Sequence, residues 1–157
     1  MLRRFLNFLW TWVPVIALMA LTYYLSSQPD FGGPGWASAF VYRFLGDSPL
    51  LAQIEWMLPY LDRYISWIAH FVEFGLLAAA IFRAIRRQWP DVRRPFLYAW
   101  LATVGYGVLD EWHQSFVPSR HPDIRDVYTD ALGAAAVLGL IWLFGKWREK
   151  NKDQRSF

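Results

Sequence analysis

Cysteine is absent from the 157 residues, which excludes disulfides and thiolate metal sites. Missing too is the His-Glu-x-x-His helix that would place two histidines and a general base around zinc, and the chain holds three His in all. No internal repeat is visible, which weighs against the duplicated halves from which many transporters are built. Low-complexity sequence is confined to the basic tail. A chain of 157 residues also lacks the length for two comfortable domains, so residues 1–157 are read as one.

What is present is apolar material, 55% of the chain, gathered into runs rather than spread at amphipathic spacing. Runs of this kind bury themselves in lipid, because a small soluble core cannot absorb apolar side chains on every helical face. Ten Trp, eight Tyr and twelve Phe point the same way, since amphipathic rings favour the headgroup level. The first run, about 5–25, is interrupted by Asn7 and Pro14 and follows Arg3 and Arg4. It is longer than a signal-peptide core, and Tyr-Tyr-Leu-Ser-Ser at its end lacks a small-x-small cleavage pattern, so an uncleaved anchor is expected. Further runs cover about 64–82, 96–116 and 127–145. Each is long enough to cross a core of about 30 Å at about 1.5 Å per residue, and in lipid each has to satisfy its backbone as a helix. The predicted fold class is an all-α integral membrane bundle of four transmembrane helices.

The connections differ in character. Residues 28–63 form a long first loop that opens with Gln28-Pro29 and contains Gly32, Gly33, Pro34 and Gly35. Within it Trp36–Leu45 and Leu50–Tyr60 are apolar but short, which predicts interfacial helices or a re-entrant segment. Arg83–Pro95 is short and strongly basic, and Val117–Asp126 is short and mixed in charge. Arg3, Arg4, Arg83, Arg86, Arg87, Arg93, Arg94, Lys146, Arg148, Lys150, Lys152 and Arg155 all fall on one side of the alternating spans. The other side has Arg43, Arg63, Arg120 and Arg125. The positive-inside rule therefore predicts cytoplasmic termini and an outward-facing first and third loop. The net charge of +3 and pI near 9.3 arise from these flanking residues, which suit anionic headgroups, and no nucleic-acid partner is expected.

Polar groups interrupt the second and third runs at His70, Glu73, Asp110, Glu111, His113 and Gln114, and Asp126 and Asp130 open the fourth. A charge near the bilayer centre costs about 2.5–3.5 kcal/mol on insertion scales, so such residues are usually turned inward, paired and used. The predicted topology brings all of them to the outer end of the bundle. His70 and Glu73 share a helix face, as do Asp110, His113 and Gln114; Glu111 aligns with Gln114. Arg120 and Arg125 are the nearest cations. Small-x-x-x-small spacing at Gly75/Ala79, Thr103/Gly107 and Ala131/Ala135/Gly139 predicts close helix approach. The alternative is a set of acid–Arg and acid–His pairs that merely lock the helices, and acids in a first turn also suit the dipole. The excess of acids over internal partners weighs against it.

The segment DEWHQSFVPSRHPDIRD, followed by YTDALGAAAVLG, resembles the VanZ-like family of bacterial membrane proteins. The pattern Asp-Glu-x-x-Gln-x-Phe-x-Pro-Gly-Arg, then Asp, Asn or Asp, and Gly-Ala, falls on Asp110, Glu111, Gln114, Phe116, Pro118, Arg120, Asp126, Asp130 and Gly133. Ser119 stands where the pattern has Gly. His70 with Glu73, and Ser-Ser-Gln-Pro at 26–29, also fit. The resemblance implies a small protein of the bacterial cell membrane acting at the envelope, in a family named for resistance to the glycopeptide teicoplanin.

Three activities suit such a cluster. Arg120 and Arg125 would grip the phosphate or pyrophosphate of a lipid-linked cell-wall precursor, flanked by Trp112, Phe116 and the aromatic first loop. An intramembrane enzyme would use Asp110 or Glu111 as acid with a His as base, or a metal held by His70, Glu73 and His113. A proton-coupled carrier would use the same acids. The first is the expectation adopted; membrane lipids are the expected partners, and no cofactor or metal is assigned.

Overall fold

Residues 2–28, 35–46, 48–118 and 120–153 are described by the computed structural model. Pro29, Gly32, Gly33 and Pro34 of the first loop, Ser119 and Arg155 lie outside the described residues. Four long helices dominate: α1 (Leu2–Ser26), α4 (Leu58–Gln88), α5 (Pro95–Gln114) and α6 (Ile124–Asp153). Between the first two lie the short α2 (Trp36–Leu45) and α3 (Pro49–Ile54), with a 3₁₀ turn over Glu55–Met57. No strand occurs among the described residues.

Local chemistry sets the helix ends. Proline occupies the first turn of α3, α4 and α5, where a missing N–H costs nothing and the fixed φ is already helical. Ser48 caps α3 by accepting the Leu51 N–H at 3.4 Å. Arg86 and Arg87 in the last turn of α4 complement its carbonyl end. Gly46 closes α2 with φ of 50°, a conformation that side chains with a Cβ rarely adopt. Pro14 lies inside α1, as membrane helices tolerate.

Helices α4 and α6 extend beyond the expected spans of 64–82 and 127–145 at both ends. The second long helix begins at Leu58 rather than 64, because nothing between Pro59 and Tyr64 interrupts it. The expected short segment Leu50–Tyr60 is therefore divided between α3, the 3₁₀ turn and the opening of α4, leaving an apolar stretch over Pro49–Gln88. The last helix likewise starts three residues earlier, at Ile124.

Three helical stretches are long and apolar enough to cross a membrane: Leu6–Ser26, Pro49–Gln88 and Ile124–Lys152. Helix α5 is outside that set. Its 20 residues suffice in length, but Asp110, Glu111, His113 and Gln114 lower the hydropathy of its last turns.

Helix α4 is the centre of the bundle, packing on α6, α5, α1 and α2. Phe74, Leu77, Ala78, Ile81 and Ala84 of α4 form the core with Val15, Ala99, Ala134 and Leu138. Large apolar side chains such as Trp10, Ile16, Leu76, Leu101, Leu132 and Leu140 remain exposed, a distribution suited to a lipid surround. Close approach is made by glycine: a Cβ on Gly133 would collide with the Phe71 backbone, and one on Gly75 would meet Val137 at 2.7 Å. The α6 register differs here from expectation. The face against α4 carries Asp130, Gly133, Ala134 and Leu138, whereas Ala135 is exposed and Gly139 faces open space.

The first loop is tied down by one carboxylate. Asp62 on α4 accepts the N–H groups of Gly35 at 3.0 Å, Ala37 at 3.0 Å and Ser38 at 3.2 Å, and the Ser38 hydroxyl. An acid at a helix N-terminus answers its orphan donors and its dipole together, so α2 is pinned to the flank of α4.

Candidate functional site

The C-terminal ends of α1 and α5 meet each other and the N-terminal halves of α4 and α6. Helix α1 contributes hydroxyls. Thr22 and Ser26 are one turn apart and face inward: the Thr22 Oγ1 donates to Glu73 at 2.5 Å, and the Ser26 Oγ donates to the Asp110 Oδ2 at 3.0 Å. Ser27 Oγ lies 3.0 Å from His113 Nε2, and the His113 ring stacks on Tyr23 at 4.4 Å between centroids. Tyr106 donates to the Met19 carbonyl at 2.6 Å.

The acids of α5 are held by one amide, four residues after Asp110 and three after Glu111. Gln114 Nε2 donates to Asp110 Oδ2 at 2.8 Å and reaches Glu111 Oε1 at 3.4 Å. The other Glu111 oxygen accepts the Asp123 N–H at 2.7 Å, which fastens the loop before α6 to the buried network. Across the α4–α6 contact, His70 Nδ1 and Asp130 Oδ1 are 3.1 Å apart, and Phe74 stacks on the imidazole. Asp110 is 5% exposed, Glu111 7%, Gln114 4% and Asp130 1%. These groups are too enclosed to be a contact surface.

Arg120 is the cation within this arrangement. Its Nη2 donates to the Leu25 carbonyl at 3.2 Å, at the end of α1 where a positive charge suits the dipole. Burial pushes its guanidinium down from the usual range, and Asp110, Glu111 and Asp126 act in the opposite direction. Asp126 faces Trp67 of α4.

A profile of the VanZ/LLP1 family matches residues 10–145. The chain belongs to the VanZ/LLP1 family. No curated protein and no solved structure matches it. The matched stretch includes all four elements that build the VanZ/LLP1 polar cluster, from Thr22 of α1 to Asp130 of α6.

Arg125 does not join that cluster. It is exposed, and its backbone N–H is taken by Asp123 Oδ1 at 2.9 Å, because Asp123 closes the first turn of α6. Its side chain instead borders a groove of about 750 Å³ on the α4–α6 flank, lined by Tyr60, Arg63, Tyr64, Trp67, Asp123 and Ile124. Arg63 pairs there with Asp123 at 3.3 Å. His70, Glu73 and His113, the trio considered for a metal, are sent to three different partners, Asp130, Thr22 and Ser27. Among the described residues no three His, Asp or Glu side chains are grouped to hold a metal ion.

Several participants carry no sequence signal. A hydroxyl in an apolar run ordinarily bonds the carbonyl four residues back, and Thr22 does that too, at 3.1 Å to Leu18. Spacing alone does not reveal its second partner. Asp62 acts by accepting backbone N–H groups and Asp123 by donating its own, and Arg63 enters because α4 begins before Tyr64.

Proposed function

We propose that this VanZ/LLP1 protein crosses the cell membrane four times, with α5 as the remaining span, and holds the phosphate end of a lipid-linked cell-wall precursor at the outer face. The observation that carries this reading is the groove beside the cluster, where Arg63 and Arg125 share one concavity with Tyr60, Tyr64 and Trp67. Guanidinium forks match phosphate oxygens bidentately, and the aromatic rings suit the headgroup level at which such a phosphate sits. The role first considered for Arg120 and Arg125 passes to Arg63 and Arg125, because Arg120 is engaged by α1 and the acids around it.

The buried cluster then serves as the support of the groove. Glu111 fixes Asp123 by its N–H, and Asp123 in turn orients Arg63. Holding precursors at the outer leaflet alters their access to glycopeptides, which act on that face, and this is how the family name enters. The test is retention of a lipid-linked diphosphate precursor by the full chain in nanodiscs. Arg63→Gln/Arg125→Gln is expected to weaken it on the order of tenfold or more, since each charged hydrogen bond lost is worth about 1.5–3 kcal/mol. Unchanged retention would overturn the assignment.

The pairing of His70 with Asp130 favours a second reading, acid–base chemistry on the lipid. Precursor recovered chemically altered, rather than merely retained, would move the assignment to it.

A further inference from the structure

At the opposite, arginine-rich end of the bundle a second groove of about 610 Å³ runs between α4 and α6, lined by Ala79, Phe82, Arg83, Arg86, Arg87 and Ile141. Its walls are apolar and its rim is cationic. Arg83 and Arg87 are four residues apart and Arg86 is three from Arg83, so one face of α4 presents three guanidiniums. All three are exposed, and among the described residues none of them forms an ion pair. The Arg86 side chain makes one weak bond, to the Pro90 carbonyl at 3.5 Å. The outer groove has Asp123 to balance Arg63, whereas no carboxylate lines this one.

The geometry points to this groove as a binding site for an anionic phospholipid, its phosphate held by Arg83, Arg86 and Arg87 and an acyl chain laid over Ala79 between Phe82 and Ile141. Membrane orientation alone requires basic residues in number at this end, and Arg93 and Arg94 of the same connection would serve it equally. It does not require three of them on one helix face around an apolar trough. Basic pockets between membrane helices recognise anionic headgroups by charge, and the flanking apolar wall selects a lipid over a free phosphate. The site stands apart from the outer groove and does not depend on the precursor reading.

The experiment measures lipid retained by the purified full chain, by native mass spectrometry, after extraction from phosphatidylcholine bilayers containing phosphatidylglycerol. The wild type is expected to keep phosphatidylglycerol in preference to phosphatidylcholine. Arg83→Gln/Arg86→Gln/Arg87→Gln should lower that retention on the order of tenfold or more, while Arg93→Gln/Arg94→Gln, which do not line the trough, should leave it near wild type. Ala79→Phe keeps every charge and fills the trough, and it should also lose the lipid. Wild-type retention in Ala79→Phe or in the triple variant would overturn the site. So would equal losses in the triple and the Arg93/Arg94 variants, since the effect would then be charge alone.

Discussion

His70 and Asp130 carry the sharpest consequence at the level of single residues. The carboxyl is 1% exposed, sits 3.1 Å from the imidazole, and has its other oxygen packed where a Cβ on Gly107 would lie at 2.7 Å. That oxygen has no hydrogen-bond partner among the described residues, so His70 supplies the compensation for burying the group. Truncating one partner of a buried pair strands the other, at about 3–5 kcal/mol. His70→Ala should therefore destabilise the protein by about that amount in detergent unfolding. Asp130→Asn, which removes the charge but retains a polar partner, should cost less. The reverse order would mean that the carboxylate is compensated by something other than His70. The same logic explains why His70 and Glu73, alike in sequence as a pair on one face, diverge: each acid or base found a separate partner on a neighbouring helix.

Between elements, stability rests on how closely helices approach, because lipid removes the hydrophobic drive for association and leaves packing and polar contacts. Gly133 lets α6 touch the Phe71 carbonyl of α4, and Gly75 lets the same pair close one turn further along, where an added Cβ would lie 3.2 Å from the Gly133 carbonyl oxygen. Gly133→Ala should force the two helices apart and cost about 1–3 kcal/mol in thermal unfolding. Gly139→Ala and Gly105→Ala meet nothing within 4 Å and should be neutral or gain about 0.5–1 kcal/mol from helix propensity. Equal effects at Gly133 and Gly139 would show that propensity, not contact, decides. This contrast also marks how far the sequence was legible. Spacing found Gly75 and Gly107, since each lies on a helix whose polar residues already fix the inward face. In the run ALGAAAVLG every face offers small residues, so spacing chose Ala131, Ala135 and Gly139; the buried Asp130 sets the actual face. The start of α4 was missed for a related reason, an apolar stretch on both sides of Pro59 that periodicity cannot divide.

For the molecule as a whole, the alternation of four long helices places the polar cluster and its groove at one end and the arginine-rich groove at the other. The gathering of acids at one end was readable because alternation of the long apolar runs brings 70–73, 110–114 and 126–130 to the same end of the bundle. Thr22 of α1, which joins the cluster through Glu73, was not, since its inward aim depends on how α1 leans on α4. Which end faces out is predicted from the charge asymmetry alone, and the absence of Cys makes it directly measurable. His121 lies exposed in the connection before α6, and Gln88 lies exposed at the other end of α4. In intact cells an impermeant maleimide is expected to label His121→Cys and to reach Gln88→Cys only after permeabilisation. Labelling of Gln88→Cys alone would invert the protein, placing Arg63 and Arg125 against the inner leaflet, where glycopeptides do not act. The precursor assignment would then fall, while the lipid groove at the arginine-rich end would remain, now facing the outer leaflet.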